Sequence, residues 1–93
     1  MAKTGQIVAA TAGTYVQGPN ETSVSGFLVT FPTTNTGAYG YINGNISAAS
    51  DAASTDSYIL EEGKAYIVPP NVNLNTLWFT GASNGDLFAW IVL

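Results

Sequence analysis

The chain contains no cysteine and no histidine. It therefore has no disulfide, no thiol nucleophile, and neither the commonest general base nor the usual imidazole ligand for a metal. The two lysines, Lys3 and Lys64, stand in no serine-lysine nucleophile motif, and no pair of acids has the apolar setting of a glycosidase site. Asp51 and Asp56 match no calcium-ligand spacing. The sequence predicts a protein that is not an enzyme and that binds no metal or cofactor.

Charge is also scarce. Charged residues make up 9% of the chain, against about 25% in an average soluble domain, and the net charge is −4. Two lysines without arginine give little affinity for phosphate, so we expect neither nucleic acid nor an anionic membrane as a partner. No apolar run approaches the roughly 20 residues of a membrane-spanning helix, and the N-terminus does not read as a signal peptide. We expect synthesis in the cytoplasm.

Short strand patterns dominate what is present. Runs of β-branched and aromatic residues alternate with Gly, Pro and Asn clusters, and no segment shows a sustained helical period. The alanine-rich residues 47–55 are predicted to form a loop or at most one helical turn. The pattern predicts one all-β domain over residues 1–93, a small antiparallel β-sandwich or jelly-roll-like fold of about six to eight strands. Residues 1–12 are either an N-terminal arm or the first strand.

Two hairpins are predicted from their turn residues. Residues 57–60 and 64–68 flank a turn in which Gly63 supplies the positive φ, and residues 76–82 and 87–93 flank Asn84-Gly85. Closing the second turn would pair Phe79 with Trp90 and Trp78 with Ile91.

Both faces of this C-terminal hairpin are apolar. The face with more aromatic volume is predicted to point into the core and carries Leu77, Phe79, Phe88, Trp90 and Val92. The other face carries Trp78, Ala82, Leu87, Ala89 and Ile91, with Leu93 at its end. A lone sandwich usually exposes a polar face, so this second face must be covered by a loop of the chain, such as residues 47–55 or the N-terminal arm, or by another subunit. We favour an interface, with Trp78, Leu87, Ala89, Ile91 and Leu93 as its contact residues.

An alternative site lies earlier in the chain. Tyr39, Tyr41 and Asn43 alternate along a predicted strand and share one side of it. Tyrosines placed in this way suit a glycan-stacking platform, although half-buried strand tyrosines are common in all-β domains. This pattern supports a carbohydrate-binding or adhesion module as the second hypothesis.

Residues 58–93 carry a resemblance to a known group of proteins. They run from Tyr-Ile-Leu through the turn Glu-Glu-Gly to Tyr-Ile-Val-Pro-Pro, then an Asn-Leu-Asn-Thr corner, Leu-Trp-Phe, Asn-Gly-Asp and the final Phe-Ala-Trp-Ile-Val-Leu. This order resembles the closing half of small capsid cement, or decoration, proteins of tailed bacteriophages. The resemblance implies a virion structural protein on the outer capsid surface. It would stabilise the head as a dimer or trimer, with itself and a major capsid protein as partners.

Overall fold

The structure, a computed structural model, describes residues 3–45 and 57–93. Over these ranges the chain forms eight strands and a single 3₁₀ turn, Leu74–Thr76. The strands are β1 (Thr4–Ala9), β2 (Val16–Gln17), β3 (Phe27–Thr30), β4 (Tyr39–Asn43), β5 (Tyr58–Glu61), β6 (Ala65–Val68), β7 (Trp78–Gly81) and β8 (Asp86–Val92). They make two four-stranded antiparallel sheets, which confirms the predicted all-β sandwich. The predicted loop at residues 47–55 and the acids Asp51 and Asp56 lie outside the described residues.

The strand order is that of a jelly roll. Sheet A has the order β1-β8-β3-β6 and sheet B the order β2-β7-β4-β5. Within them β1 pairs with β8, β2 with β7, β3 with β6 and β4 with β5, so the first four strands meet the last four in reverse order. Apart from β4 and β5, consecutive strands of the described chain therefore lie in opposite sheets.

Both predicted hairpins are wrong for this reason. β7 belongs to sheet B and β8 to sheet A, and β5 and β6 are divided between the sheets in the same way. Trp78 pairs with Asn43 instead of Ile91. Gly63 does adopt the predicted positive φ, at 75°, and Gly85 in the other turn has a φ of 82°. Each turn reverses the chain direction but carries it across the core into the other sheet.

A buried carboxylate holds the crossing between β7 and β8. Asp86 is 1% exposed, and its Oδ1 accepts the backbone N–H of Gly37 at 3.1 Å while its Oδ2 accepts the N–H of Ser83 at 2.9 Å. A Cβ atom at Gly37 or at Gly81 would overlap the Asp86 side chain. The absence of side chains at the two glycines leaves space for Asp86 to point inward at the start of β8. There it connects the turn between β7 and β8 to the loop that contains Gly37.

The core between the sheets is aromatic. The Phe88 ring packs against those of Phe31 and Phe79, both with centroids 5.1 Å away, and thereby joins the two sheets. Phe27 meets Trp90 edge-on at 5.5 Å. Phe79, Phe88 and Trp90 are buried as predicted, so the core face of both strands was correctly identified although their pairing was not. The other buried members of this cluster are Ile7, Val29, Ile42, Leu60, Val68 and Leu74.

Beyond the end of β3, the side chain of Asn35 takes the place of a neighbouring strand beside β8. Pro32 follows shortly after β3 and has no N–H to donate to a ladder. The Asn35 amide takes over at this level: its Nδ2 donates to the Leu87 carbonyl at 2.7 Å and its Oδ1 accepts the Leu87 N–H at 3.0 Å. β8 therefore keeps hydrogen-bond partners on both sides near its first residues.

Candidate functional site

The predicted contact residues lie on two different surfaces. Leu87, Ala89 and Ile91 point outward from β8 in sheet A, and Leu93 continues the same alternation beyond the strand end. Trp78 points outward from β7 in sheet B. The expectation that all five share one face is wrong, because it depended on the hairpin. The structure thus presents two candidate surfaces, one on each side of the sandwich.

The outer surface of sheet A, called face A below, is formed by three rows of side chains that run across the strands. The first is the ridge row: Thr4, Ile91, Leu28 and Ile67. The second is the groove row, with smaller side chains at its centre: Gln6, Ala89, Thr30 and Ala65. Val8 and Leu87 form the third row. Face A therefore alternates between bulky and small residues along the strand direction.

Face A is uncharged and largely apolar. Ile67 is 61% exposed, Val8 49% and Ile91 36%, and no side chain of the three rows carries a charge. An antiparallel sandwich that stands alone normally presents polar side chains on such a surface. The sequence prediction missed Val8, Leu28 and Ile67, although the alternation of their own strands contains the signal.

An open depression lies on face A. It has a volume of about 430 Å³ and is lined by residues of both the ridge row and the groove row, among them Ile91, Leu28 and Ala89. Gly5 and Trp90 also line it, and the absence of a side chain at Gly5 leaves the space that the Trp90 ring occupies. A Cβ at Gly5 would come within 2.5 Å of a ring carbon of Trp90. The indole Nε1 of Trp90 is buried and has no hydrogen-bond partner among the described residues.

The outer surface of sheet B, face B, holds the tyrosines of the alternative site. The rings of Tyr39 and Tyr41 meet edge-on with centroids 5.6 Å apart, and Tyr39 is 40% exposed. Asn43 is 1% exposed, so it offers little surface to a ligand. Its Nδ2 donates to the Ser57 hydroxyl at 3.1 Å, and its Oδ1 accepts the Asn45 N–H at 2.7 Å. The three residues share a side, as expected, but Asn43 serves the fold.

Tyr41 has a perturbed acidity. Burial raises the pKa of its phenol above the ordinary value, and a hydrogen bond with Tyr39 together with the nearby phenols of Tyr39 and Tyr15 raises it further. All these influences favour the neutral form. Face B is therefore an aromatic surface on which the pKa of the Tyr41 phenol lies above its ordinary value. The hydroxyl of Thr80, across the strand pair from Tyr41, is buried without a hydrogen-bond partner in the described part of the chain.

Two further features are absent from residues 3–45 and 57–93. The structure shows there no group of three or more acidic side chains placed to hold a metal ion. These residues also include no helix of the length and apolarity needed to cross a bilayer. Glu61 and Glu62 lie at the exposed turn between β5 and β6. Comparison with known proteins finds no family model, no curated protein and no solved structure that matches this chain.

Proposed function

We propose that this chain is a non-enzymatic virion structural protein, a capsid cement or decoration protein of a tailed bacteriophage. In this role it is made in the host cytoplasm, binds the outer capsid surface and stabilises the head as a homo-oligomer. Its partners are further copies of itself, in a dimer or trimer, and a major capsid protein. The proposed contacts are Leu87, Ala89, Ile91 and Leu93 on one side of the sandwich and Trp78 on the other.

The composition of face A is the main support for this proposal. A ridge of Ile91, Leu28 and Ile67 exposed to water costs free energy at about 25 cal/mol per Å² of apolar surface, and contact with another protein recovers it. The surface has no charge that would have to be desolvated or paired. Such a face suits permanent assembly better than a transient electrostatic encounter.

The fold adds weaker support. Jelly rolls occur in viral capsid proteins and in lectins, so the strand order agrees with both hypotheses, and a fold by itself does not assign a function. The resemblance of residues 58–93 to phage cement proteins favours the capsid. Two separate outer surfaces also suit a clamp, which must hold a second subunit and a capsid at the same time.

Binding to phage heads tests this function. Purified protein is added to heads assembled from the major capsid protein whose gene neighbours the gene of this chain. We expect saturable co-sedimentation and a higher temperature of head disruption, since a bound clamp stabilises only the assembled state. The exposed-turn variant Glu62→Ala is the matched control and should bind like the parent. Absence of binding to these heads would refute the capsid assignment.

Carbohydrate binding is the second candidate, because the exposed Tyr39 and the half-buried Tyr41 form an aromatic pair on face B. Tyrosine rings stack on the apolar faces of sugars, and no charge is needed for this contact. A glycan array separates the candidates: retention of the protein that is lost in Tyr39→Ala, together with no binding to heads, would favour an adhesion module.

A further inference from the structure

We propose that face A is a two-fold interface between two copies of this chain, in which the ridge row of each copy fills the groove row of the other. The inference rests on the proposed assembly role and names the first partner of that surface. Its basis is the spacing of bulky and small side chains on face A, together with the absence of charge there.

The row order makes face A complementary to itself. Place a two-fold axis parallel to the rows and midway between the ridge row and the groove row. Rotation about this axis turns a second copy face to face with the first and exchanges the two rows. Ile91 of one copy then lies over Ala89 of the other, Leu28 over Thr30, and Ile67 over Ala65. In these three pairs a bulky residue thus meets a smaller one on the facing sheet.

The same axis also pairs the ends of β8. Because Ala89 and Ile91 exchange places, Leu87 of one copy falls opposite Leu93 of the other. Leu93 is 51% exposed, and its N–H is already held by the Gly26 carbonyl at 3.0 Å, which fixes the backbone at this position. The four residues of the C-terminal segment that the sequence singled out therefore form a continuous symmetric strip.

A second copy also fits the charge and the area. The chain carries a net charge of −4, but none of it lies on face A, so contact between two copies buries no like-charge pair there. The molecule measures 32 × 28 × 18 Å, and the short dimension suits the stacking direction of two sheets. The broad side is bounded by 32 × 28 Å, which sets an upper limit of about 900 Å² on the contact and leaves room for the roughly 800 Å² that each partner gives to a standard interface.

An exchange of two side chains tests this geometry. Ala89→Ile places two bulky residues opposite each other, and Ile91→Ala places two small ones opposite each other. Each single variant should therefore weaken dimerisation by about 10-fold or more. The double variant A89I/I91A restores a bulky residue opposite a small one at both positions. It should recover most of the parental affinity, measured by sedimentation velocity over a dilution series. Circular dichroism verifies that each variant is folded.

Two charged variants identify the face. Ile91→Asp should weaken the dimer by roughly 100-fold or more, because a buried carboxylate would have no cation opposite it. Ile59→Asp is the matched control on face B, where Ile59 is 55% exposed, and it should leave the dimer intact. A parent protein that stays monomeric up to millimolar concentration, or that forms a trimer, overturns the proposal. So does a dimer that is lost only in Ile59→Asp, or a double variant A89I/I91A that dimerises as weakly as the two single variants.

The outcomes separate this inference from the capsid assignment. A monomer that still binds phage heads would refute the two-fold interface and leave the proposed function standing. A dimer with the predicted variant pattern that binds no heads would support the two-fold interface and refute the capsid assignment.

Discussion

Replacement of Asp86 gives the most direct test of how the chain crosses between its sheets. In Asp86→Ala the buried N–H of Gly37 loses its acceptor, which costs about 1–3 kcal/mol. The N–H of Ser83 is only partly buried and can turn to water, so its loss adds about 0.5–1.5 kcal/mol. We expect a total loss of about 3 kcal/mol in the free energy of unfolding. For a domain of this size that corresponds to a fall in Tm of roughly 12–24 °C.

The assay is urea unfolding followed by tryptophan fluorescence and circular dichroism. Protein concentration is held constant, because self-association would make the apparent stability depend on it. Asp86→Asn keeps the shape and one acceptor, so its loss should be about half that of Asp86→Ala. Glu62→Ala, which removes an exposed carboxylate from a turn, should change the stability by less than about 0.5 kcal/mol. A loss below about 1 kcal/mol in Asp86→Ala would show that the carboxylate does not hold the crossing.

Two further outcomes follow from the packing and the titration. The added methyl group of Gly40→Ala would overlap two core phenylalanine rings and should lower the free energy of unfolding by about 1–3 kcal/mol. The methyl group of Gly44→Ala meets only one side-chain atom, at 3.6 Å, and should be tolerated. Urea unfolding midpoints compare the two variants. Because the pKa of Tyr41 is higher in the folded than in the unfolded protein, its contribution to stability is complete below about pH 10 and is lost as the pH rises through the folded value. Tyr41→Phe should therefore flatten the decline in unfolding free energy above pH 10, and an unchanged slope would contradict the assigned burial.

The sequence predicted which strand residues point into the core, but it did not predict which strands pair. The inward residues Phe79, Phe88 and Trp90 were identified from alternation, because alternation depends only on each strand and the side it buries. The pairing of β7 with β8 was not, because the predicted Asn-Gly hairpin turn needs a positive φ at both residues, whereas in this turn Gly85 has a positive φ and Asn84 does not. A contact that ties this crossing, the hydrogen bond from the Gly37 N–H to Asp86, joins residues far apart in the sequence.

The candidate site shows the same division. Leu87, Ala89 and Ile91 were correctly placed on a common side, whereas Trp78 was assigned to that side only through the mistaken pairing. The neighbours that make face A an extended surface, Leu28 and Ile67, come from strands distant in sequence. Their position beside β8 follows from the strand order, which local patterns do not encode.

The central position of β8 has a consequence for biosynthesis. β8 lies between β1 and β3 in sheet A, and Thr4 has its cross-strand partner at Ile91. At a translation rate of 5–20 residues per second, β1 waits roughly 4 to 17 s for that partner to be made. During this interval the apolar sides of β1 and β3 have no strand between them, and their open backbone edges can pair with other nascent chains. Sheet A closes only after residue 92 has left the ribosome, so this fold forms late and from sequence-distant contacts.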